Sequence, residues 1–118
     1  MTTTSTQNTF SIRSVLDKEK LTGTNFLTWS RNLRLVLKQE KKDYVLRDPL
    51  PERPLANAAR TLHNAWEKHS SDETDVYCLM LATMTAELQM QFESVLSPIE
   101  IMASLKSLFQ EQARTERF

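Results

Sequence analysis

Residues that form tight turns are scarce in this chain. Its 118 residues include one glycine and four prolines. Because the tight hairpins of β-sheets draw heavily on glycine, this composition disfavours a sheet and favours helices joined by short polar loops. No apolar stretch approaches the roughly 20 residues that a membrane helix requires. We therefore expect an all-α protein that does not contact a membrane.

Ligands for metals and phosphates are equally scarce. One cysteine, Cys78, and two histidines cannot supply the four ligands of a zinc site built from Cys and His. His63 and His69 are six residues apart, which is not the i, i+4 spacing of a metal pair. A phosphate-binding loop needs at least two glycines in register, and only Gly23 is present. The sequence predicts no cofactor and no metal.

Catalytic groups are also difficult to find. A nucleophilic pair of Cys78 with His63 is compatible with the sequence, but Cys78 lies in the apolar run 76–81, where a buried, unreactive thiol is expected. His69 is expected to lie at a helix C-terminus, where a cation compensates the helix dipole. We therefore predict that the protein is not an enzyme. The lone cysteine also excludes an internal disulfide and fits a cytoplasmic location.

The segment 21–37 carries the clearest helical pattern. Asn25, a favourable N-cap residue, follows a turn at Gly23 and precedes a helix predicted over residues 25–40. Its inward stripe consists of Phe26, Trp29, Leu33, Val36 and Leu37, at steps of three and four. Its opposite side and the residues just after it are basic. The candidate residues for a protein interface or for RNA are Arg31, Arg34, Lys38, Lys41 and Lys42, with a simply solvated face as the alternative.

The rest of the chain also has helical periodicity. Helices are predicted over residues 10–20, 56–69, 70–83 and 86–95 and from residue 97 onward, with an extra helical turn over 41–47 and a proline-rich loop over 48–55. Ser70 with Glu73, and Ser97 with Glu100, match capping boxes that begin two of these helices. Trp29 and Trp66 both lie on apolar stripes, so we expect them in one core rather than as stacking platforms for bases. Residues 1–9 are expected to form a disordered tail, and residues 10–118 a single domain of five or six helices.

The charge is unevenly distributed although it sums to zero. Residues 13–47 contain nine bases and four acids, a balance of +5, whereas residues 48–118 contain six bases and eleven acids, a balance of −5. Acids at the predicted start of a helix are electrostatically favourable, so a catalytic pair of carboxylates is a weak interpretation of 72–75. Opposite patches favour head-to-tail contacts between copies. The candidate acidic counter-surface consists of Asp72, Glu73, Asp75, Glu87 and Glu93.

The spacing L-x-G-x-N-F-x-x-W at residues 21–29 resembles the start of the Gag polyprotein of copia-type plant LTR retrotransposons. The following RNLRLVLKQEKKDYVL, a tryptophan in the next helix and the final LKSLFQEQARTERF resemble the same family. The family motif falls on Leu21, Gly23, Asn25, Phe26, Trp29 and Trp66.

This resemblance implies a retroviral-capsid-like N-terminal lobe, truncated at its link to a second lobe. The implied function is self-assembly into virus-like particles around RNA. In that family RNA binding falls mainly to a downstream zinc knuckle, which these residues do not contain. The alternative is a domesticated, Gag-derived adaptor that binds a host protein or RNA without forming particles.

Overall fold

Helices make up nearly all the regular structure of the chain. The computed structural model describes residues 12–116, and their side chains as far as residue 110. The helices are α1 (Ser14–Lys18), α2 (Phe26–Gln39), α3 (Arg60–Ala82), α4 (Ala86–Phe92) and α5 (Pro98–Glu116), with a 3₁₀ helix at Asp43–Leu46. Within the described residues there is no strand, only an isolated bridge. The prediction of an all-α fold is confirmed, and the predicted tail at 1–9 lies outside the described residues.

A single hydrophobic core joins these helices. The five predicted inward residues of α2 are all buried, and Trp29, Leu33 and Val36 are almost completely so. Every other helix and the 3₁₀ helix also contribute. The remaining members of the core are Leu16, Leu21, Val45, Val76, Leu79, Met80, Met84, Leu88, Phe92, Ile101, Met102 and Leu105.

A short backbone junction ties the start of α2 to the turn between α3 and α4. The Leu21 N–H donates to the Thr83 carbonyl at 2.8 Å, and the Thr85 N–H donates to the Leu21 carbonyl at 3.1 Å. Beside it, the Trp29 indole Nε1 donates to Thr83 Oγ1 at 3.1 Å. The two backbone bonds form the parallel bridge between Leu21 and Met84. Together with the indole bond, they hold the N-terminal part of α2 against the C-terminal end of α3.

The turn before α2 needs its glycine. Gly23 has a φ of +109°, which side chains rarely tolerate, and an added Cβ would lie 3.4 Å from the Phe109 ring. Asn25 closes this turn: its Oδ1 accepts from the Thr22 N–H at 2.9 Å, and its Nδ2 donates to the Lys20 carbonyl at 2.8 Å. Asn25 precedes α2, but its side chain does not cap the helix. The predicted capping bond is therefore wrong, because the amide is used by the turn.

The boundary predicted at residue 70 is also wrong. Helix α3 runs without a break from Arg60 to Ala82, and Ser70 lies in its middle, where its carbonyl accepts from the Thr74 hydroxyl. The capping-box pattern has no helix end to cap here. By contrast, the last helix begins at Pro98 as predicted, with Ser97 Oγ accepting from the Glu100 N–H at 3.4 Å.

Trp66 does not join the core with Trp29. Its indole is only partly buried, and Nε1 donates to the Pro51 carbonyl at 2.8 Å. The Arg53 guanidinium lies 5.0 Å from the centre of its ring. The prediction of one core for both tryptophans is therefore wrong for Trp66, which instead anchors the proline-rich loop to the first half of α3.

Candidate interaction surfaces

The outward side of α2 combines cations with exposed leucines. Arg31, Arg34 and Lys38 are exposed at steps of three and four. Leu27 and Leu35 are 39% and 52% exposed beside them. Together these five residues form what we call the α2 outer face. With Ser30 they line a shallow groove of about 320 Å³. The three cations were predicted from the sequence, but the two leucines were not. Their position on the polar side of an amphipathic helix was a signal that could have revealed them.

The cations of the α2 outer face have no ion-pair partner among the described residues. The helix itself offers none, because its sequence FLTWSRNLRLVLKQ contains no acid. Its positive charge is therefore available to a partner molecule rather than neutralised within the domain. Exposed leucines between the charges add apolar area that such a partner could bury.

The two lysines that follow α2 have different surroundings. Lys41 is exposed and has a φ of 61°, and the Lys42 N–H bonds back to the Leu37 carbonyl at 2.8 Å. This is the left-handed ending that glycine usually supplies to a helix. The Lys42 ammonium donates to Asp75 Oδ2 at 2.7 Å. Lys42 was expected in the basic patch, but it stabilises the contact with α3 instead.

Asp72 was expected on the acidic counter-surface, but it is buried within the molecule. Its Oδ2 accepts from the Tyr44 hydroxyl at 2.5 Å and from Lys68 Nζ at 2.7 Å. Burial acts to raise the pKa of Asp72, but these two hydrogen bonds and the nearby lysine charges outweigh it and hold the pKa below its usual value. The carboxylate is therefore ionised and internally neutralised. Asp75 remains exposed, but its carboxylate is paired with Lys42 of the same molecule.

Asp72 in turn affects Tyr44, which lies on the 3₁₀ helix. Burial, the hydrogen bond to Asp72 and repulsion from the charges of Asp72 and Asp48 raise the pKa of Tyr44 to about 12. Arg13 binds Glu40 at the end of α2 through two hydrogen bonds of 2.5 and 2.6 Å, and this pairing lowers the pKa of Glu40. These polar contacts fix α1, the end of α2 and the 3₁₀ helix onto α3.

The remaining acids of the expected counter-surface lie on α3 and around α4. Glu73 is partly buried, whereas Glu87 and Glu93 are exposed, and none of the three has an ion pair in the described part of the chain. Met90 and Leu96, which are 70% and 73% exposed, are close in sequence to Glu87 and Glu93. We call Glu87, Met90, Glu93 and Leu96 the α4 outer face. Its apolar members were missed because Met90 lies off the inward stripe and Leu96 lies in a loop.

An adjoining shallow groove of about 340 Å³ separates α4 from α5. Its apolar lining consists of Phe92, Val95 and Leu108. Leu108 is 48% exposed, so α5 also presents apolar surface at this groove. The acidic side of the domain therefore has an apolar component, as the basic side does.

The candidate catalytic pair does not come together. His63 and Cys78 lie on one continuous helix, where fifteen residues span about 22 Å. Cys78 is exposed, contrary to the expectation of a buried thiol. His69 lies within α3 rather than at its end, with Nε2 3.1 Å from the Asp48 carbonyl and its ring against Tyr44. The sequence-based interpretation of His69 is therefore wrong.

Among the described residues, no group of three or more His, Cys, Asp or Glu side chains is arranged to hold a metal ion. No helix in this part of the chain is long and apolar enough to cross a membrane.

Comparisons of the chain with protein-family models, with curated proteins and with solved structures found no match.

Proposed function

We propose that this chain is a structural domain whose function is self-assembly, corresponding to the N-terminal capsid lobe of a retrotransposon Gag protein that forms virus-like particles around RNA. The proposal begins with the resemblance of residues 21–29 to the copia-type Gag motif. In the fold, the motif residues between 21 and 29 make one unit, whereas Trp66 lies apart from it against Pro51. Gly23 and Asn25 form the turn, Leu21 forms the junction to Thr83, and Phe26 and Trp29 are buried in the core.

The observation that carries the proposal is the α2 outer face. Three unpaired cations and two exposed leucines share one side of a rigid helix. Exposed leucines are common singly, but grouped apolar surface with a polar rim marks a site that contacts another macromolecule. A structural role accounts for this surface without requiring any reaction. We propose that the chain has no catalytic activity.

Sedimentation velocity over a wide concentration range tests this proposal. We expect the wild-type domain to associate weakly and reversibly. The variant Leu27→Ser/Leu35→Ser should associate less, because it removes apolar area from the α2 outer face. The matched control is Leu55→Ser/Leu62→Ser, which makes the same chemical change at leucines that are 76% and 57% exposed elsewhere. The control should associate like the wild type.

Two outcomes would contradict a self-assembly function. One is a wild-type domain that stays monomeric at the highest concentration reached. The other is association that both leucine pairs weaken equally, which would indicate nonspecific hydrophobic contact. A monomer that binds RNA with a strong salt dependence would instead support a nucleic-acid-binding role for the cations.

A further inference from the structure

We infer that the α2 outer face of one copy docks onto the α4 outer face of the next copy, in a head-to-tail contact. This inference rests on the proposed self-assembly and names the two surfaces that perform it. The sequence suggested an acidic counter-surface centred on five acids. The structure leaves only part of that set available to a partner.

Charge selects the α4 outer face as the partner surface. The α2 outer face carries three cations and no acid, and the α4 outer face carries two carboxylates, Glu87 and Glu93, and no base. Asp72 and Asp75 are held by Lys68, Tyr44 and Lys42 within the same molecule. Glu87 and Glu93 are exposed and unpaired among the described residues, so they can approach a neighbour's arginines without first breaking an internal bond.

Apolar complementarity supports the same choice. Met90 and Leu96 are among the most exposed large apolar side chains of the described residues. In sequence they alternate with the two glutamates, in the order Glu87, Met90, Glu93 and Leu96, whereas Leu27 and Leu35 lie on either side of the two arginines. Exposed ion pairs contribute little to affinity individually, so burial of the leucines against methionine and leucine must supply most of it, while the charges set orientation. Methionine suits this role because its flexible side chain adapts to an uneven partner.

A head-to-tail contact has a consequence for assembly. The two faces are different surfaces of the same molecule, so each copy in a chain of contacts still presents one free face. Association then continues beyond the dimer and ends only by closing into a ring. A contact between two α2 outer faces would instead stop at a dimer and would bring like charges together.

Charge reversal distinguishes these arrangements. The first variant, Arg31→Glu/Arg34→Glu, gives a chain with two acidic faces, and the second, Glu87→Lys/Glu93→Lys, gives a chain with two basic faces. We expect each alone to lose association by about tenfold or more, because like charges then meet across the contact. An equimolar mixture should associate again, since each chain then offers the other a face of opposite sign. For the first variant, the matched control Lys18→Glu/Arg60→Glu changes the charge by the same amount at exposed positions outside both faces and should behave like the wild type.

Sedimentation velocity and circular dichroism should be measured on all samples, at about 50 mM and about 500 mM salt, because screening shortens the reach of exposed charges. Far-UV circular dichroism identical to the wild type establishes that each variant is folded.

Recovery of association in the mixture supports the inference. If only the α2 variant loses association and the α4 variant keeps it, the proposed function stands and the α4 face is not the partner. If higher salt leaves the wild-type association unchanged or strengthens it, attraction between opposite charges does not hold the contact and the head-to-tail arrangement is wrong. If the wild type does not associate at all, both the inference and the proposed function fail.

Discussion

The buried hydrogen bond between Trp29 and Thr83 is expected to stabilise the domain in a way that a double-mutant cycle can measure. Both residues are 1% exposed, and the bond from Nε1 to Oγ1 is 3.1 Å long. The Thr83 hydroxyl in turn donates to the Leu79 carbonyl at 2.8 Å. Every polar atom of this group therefore has a partner. Removing the Thr83 hydroxyl leaves the indole N–H without an acceptor where water does not reach, whereas removing the indole leaves the hydroxyl bonded to Leu79.

The size of the effect follows from which group is left without a partner. Thr83→Val leaves the Trp29 N–H buried without an acceptor, which should cost about 1–3 kcal/mol in the free energy of unfolding. Trp29→Phe removes the donor and some packing, so a similar or larger loss, about 2–4 kcal/mol, is expected. The double variant removes both polar groups and leaves no orphan between them. Its loss should be smaller than the sum of the single losses by about 1 kcal/mol.

Urea unfolding followed by far-UV circular dichroism measures these differences without relying on tryptophan fluorescence. With a slope of about 1–3 kcal/mol per molar urea, a 2 kcal/mol loss moves the midpoint by roughly 1 M. The control cycle combines Thr83→Val with Trp66→Phe, because Trp66 bonds to Pro51 and makes no hydrogen bond to Thr83. Its losses should add within about 0.5 kcal/mol. Additive losses in the Trp29 cycle as well would refute the proposed hydrogen bond.

Three further predictions concern stability. Trp29→Ala should lower the free energy of unfolding by about 3–5 kcal/mol, as for a large core side chain. Trp66→Ala should lower it by roughly half of that, because the Trp66 ring is only partly buried. Equal urea midpoints for the two variants would contradict this difference. Gly23→Ala should lower the free energy of unfolding by about 1–2 kcal/mol, because alanine is strained at a φ of +109°, and thermal unfolding that matches the wild type would contradict the strain. The free energy of unfolding should depend on pH in two ranges. Tyr44 has a raised pKa, so its contribution to stability is full below pH 10 and is lost as the pH rises toward about 12. Asp72 has a lowered pKa, so its contribution is lost as the pH falls below 3.8, the usual pKa of an aspartate. Tyr44→Phe should flatten the alkaline limb and Asp72→Asn the acid limb of urea midpoints plotted against pH, and unchanged limbs would count against the Tyr44–Asp72 contact.

The sequence was sufficient to predict α2 and the start of α5, because local physics decides both. The period of Phe26, Trp29 and Leu33 sets the buried face, and proline after serine starts the last helix. The helix boundary predicted at residue 70 is wrong because contacts with distant residues, rather than the local sequence, act there. Ser70 and Glu73 carry a local capping pattern, but Asp72 between them is bound by Tyr44 from the distant 3₁₀ helix. A pattern read along one segment contains no information about such contacts.

The candidate surfaces were also predicted only in part from the sequence. Helical period alone placed Arg31, Arg34 and Lys38 on the solvent side of α2. It could not separate Lys42 from them, because the bond from Lys42 to Asp75 joins residues 33 positions apart. The same long-range pairing removed two acids from the expected counter-surface. Charge counts along a sequence therefore overestimate how much charge a folded surface offers to a partner.

The junction at Leu21 has a consequence for the order in which the domain opens. Its hydrogen bonds join segments far apart in the chain; the neighbouring bond from Lys20 to the Ala82 carbonyl spans 62 residues. Closing so long a loop carries a large entropy cost, so the junction forms only when the surrounding core is in place. Because Leu21 is also completely buried, its amide proton should exchange with solvent far more slowly than those of exposed loop residues, although it lies outside any helix.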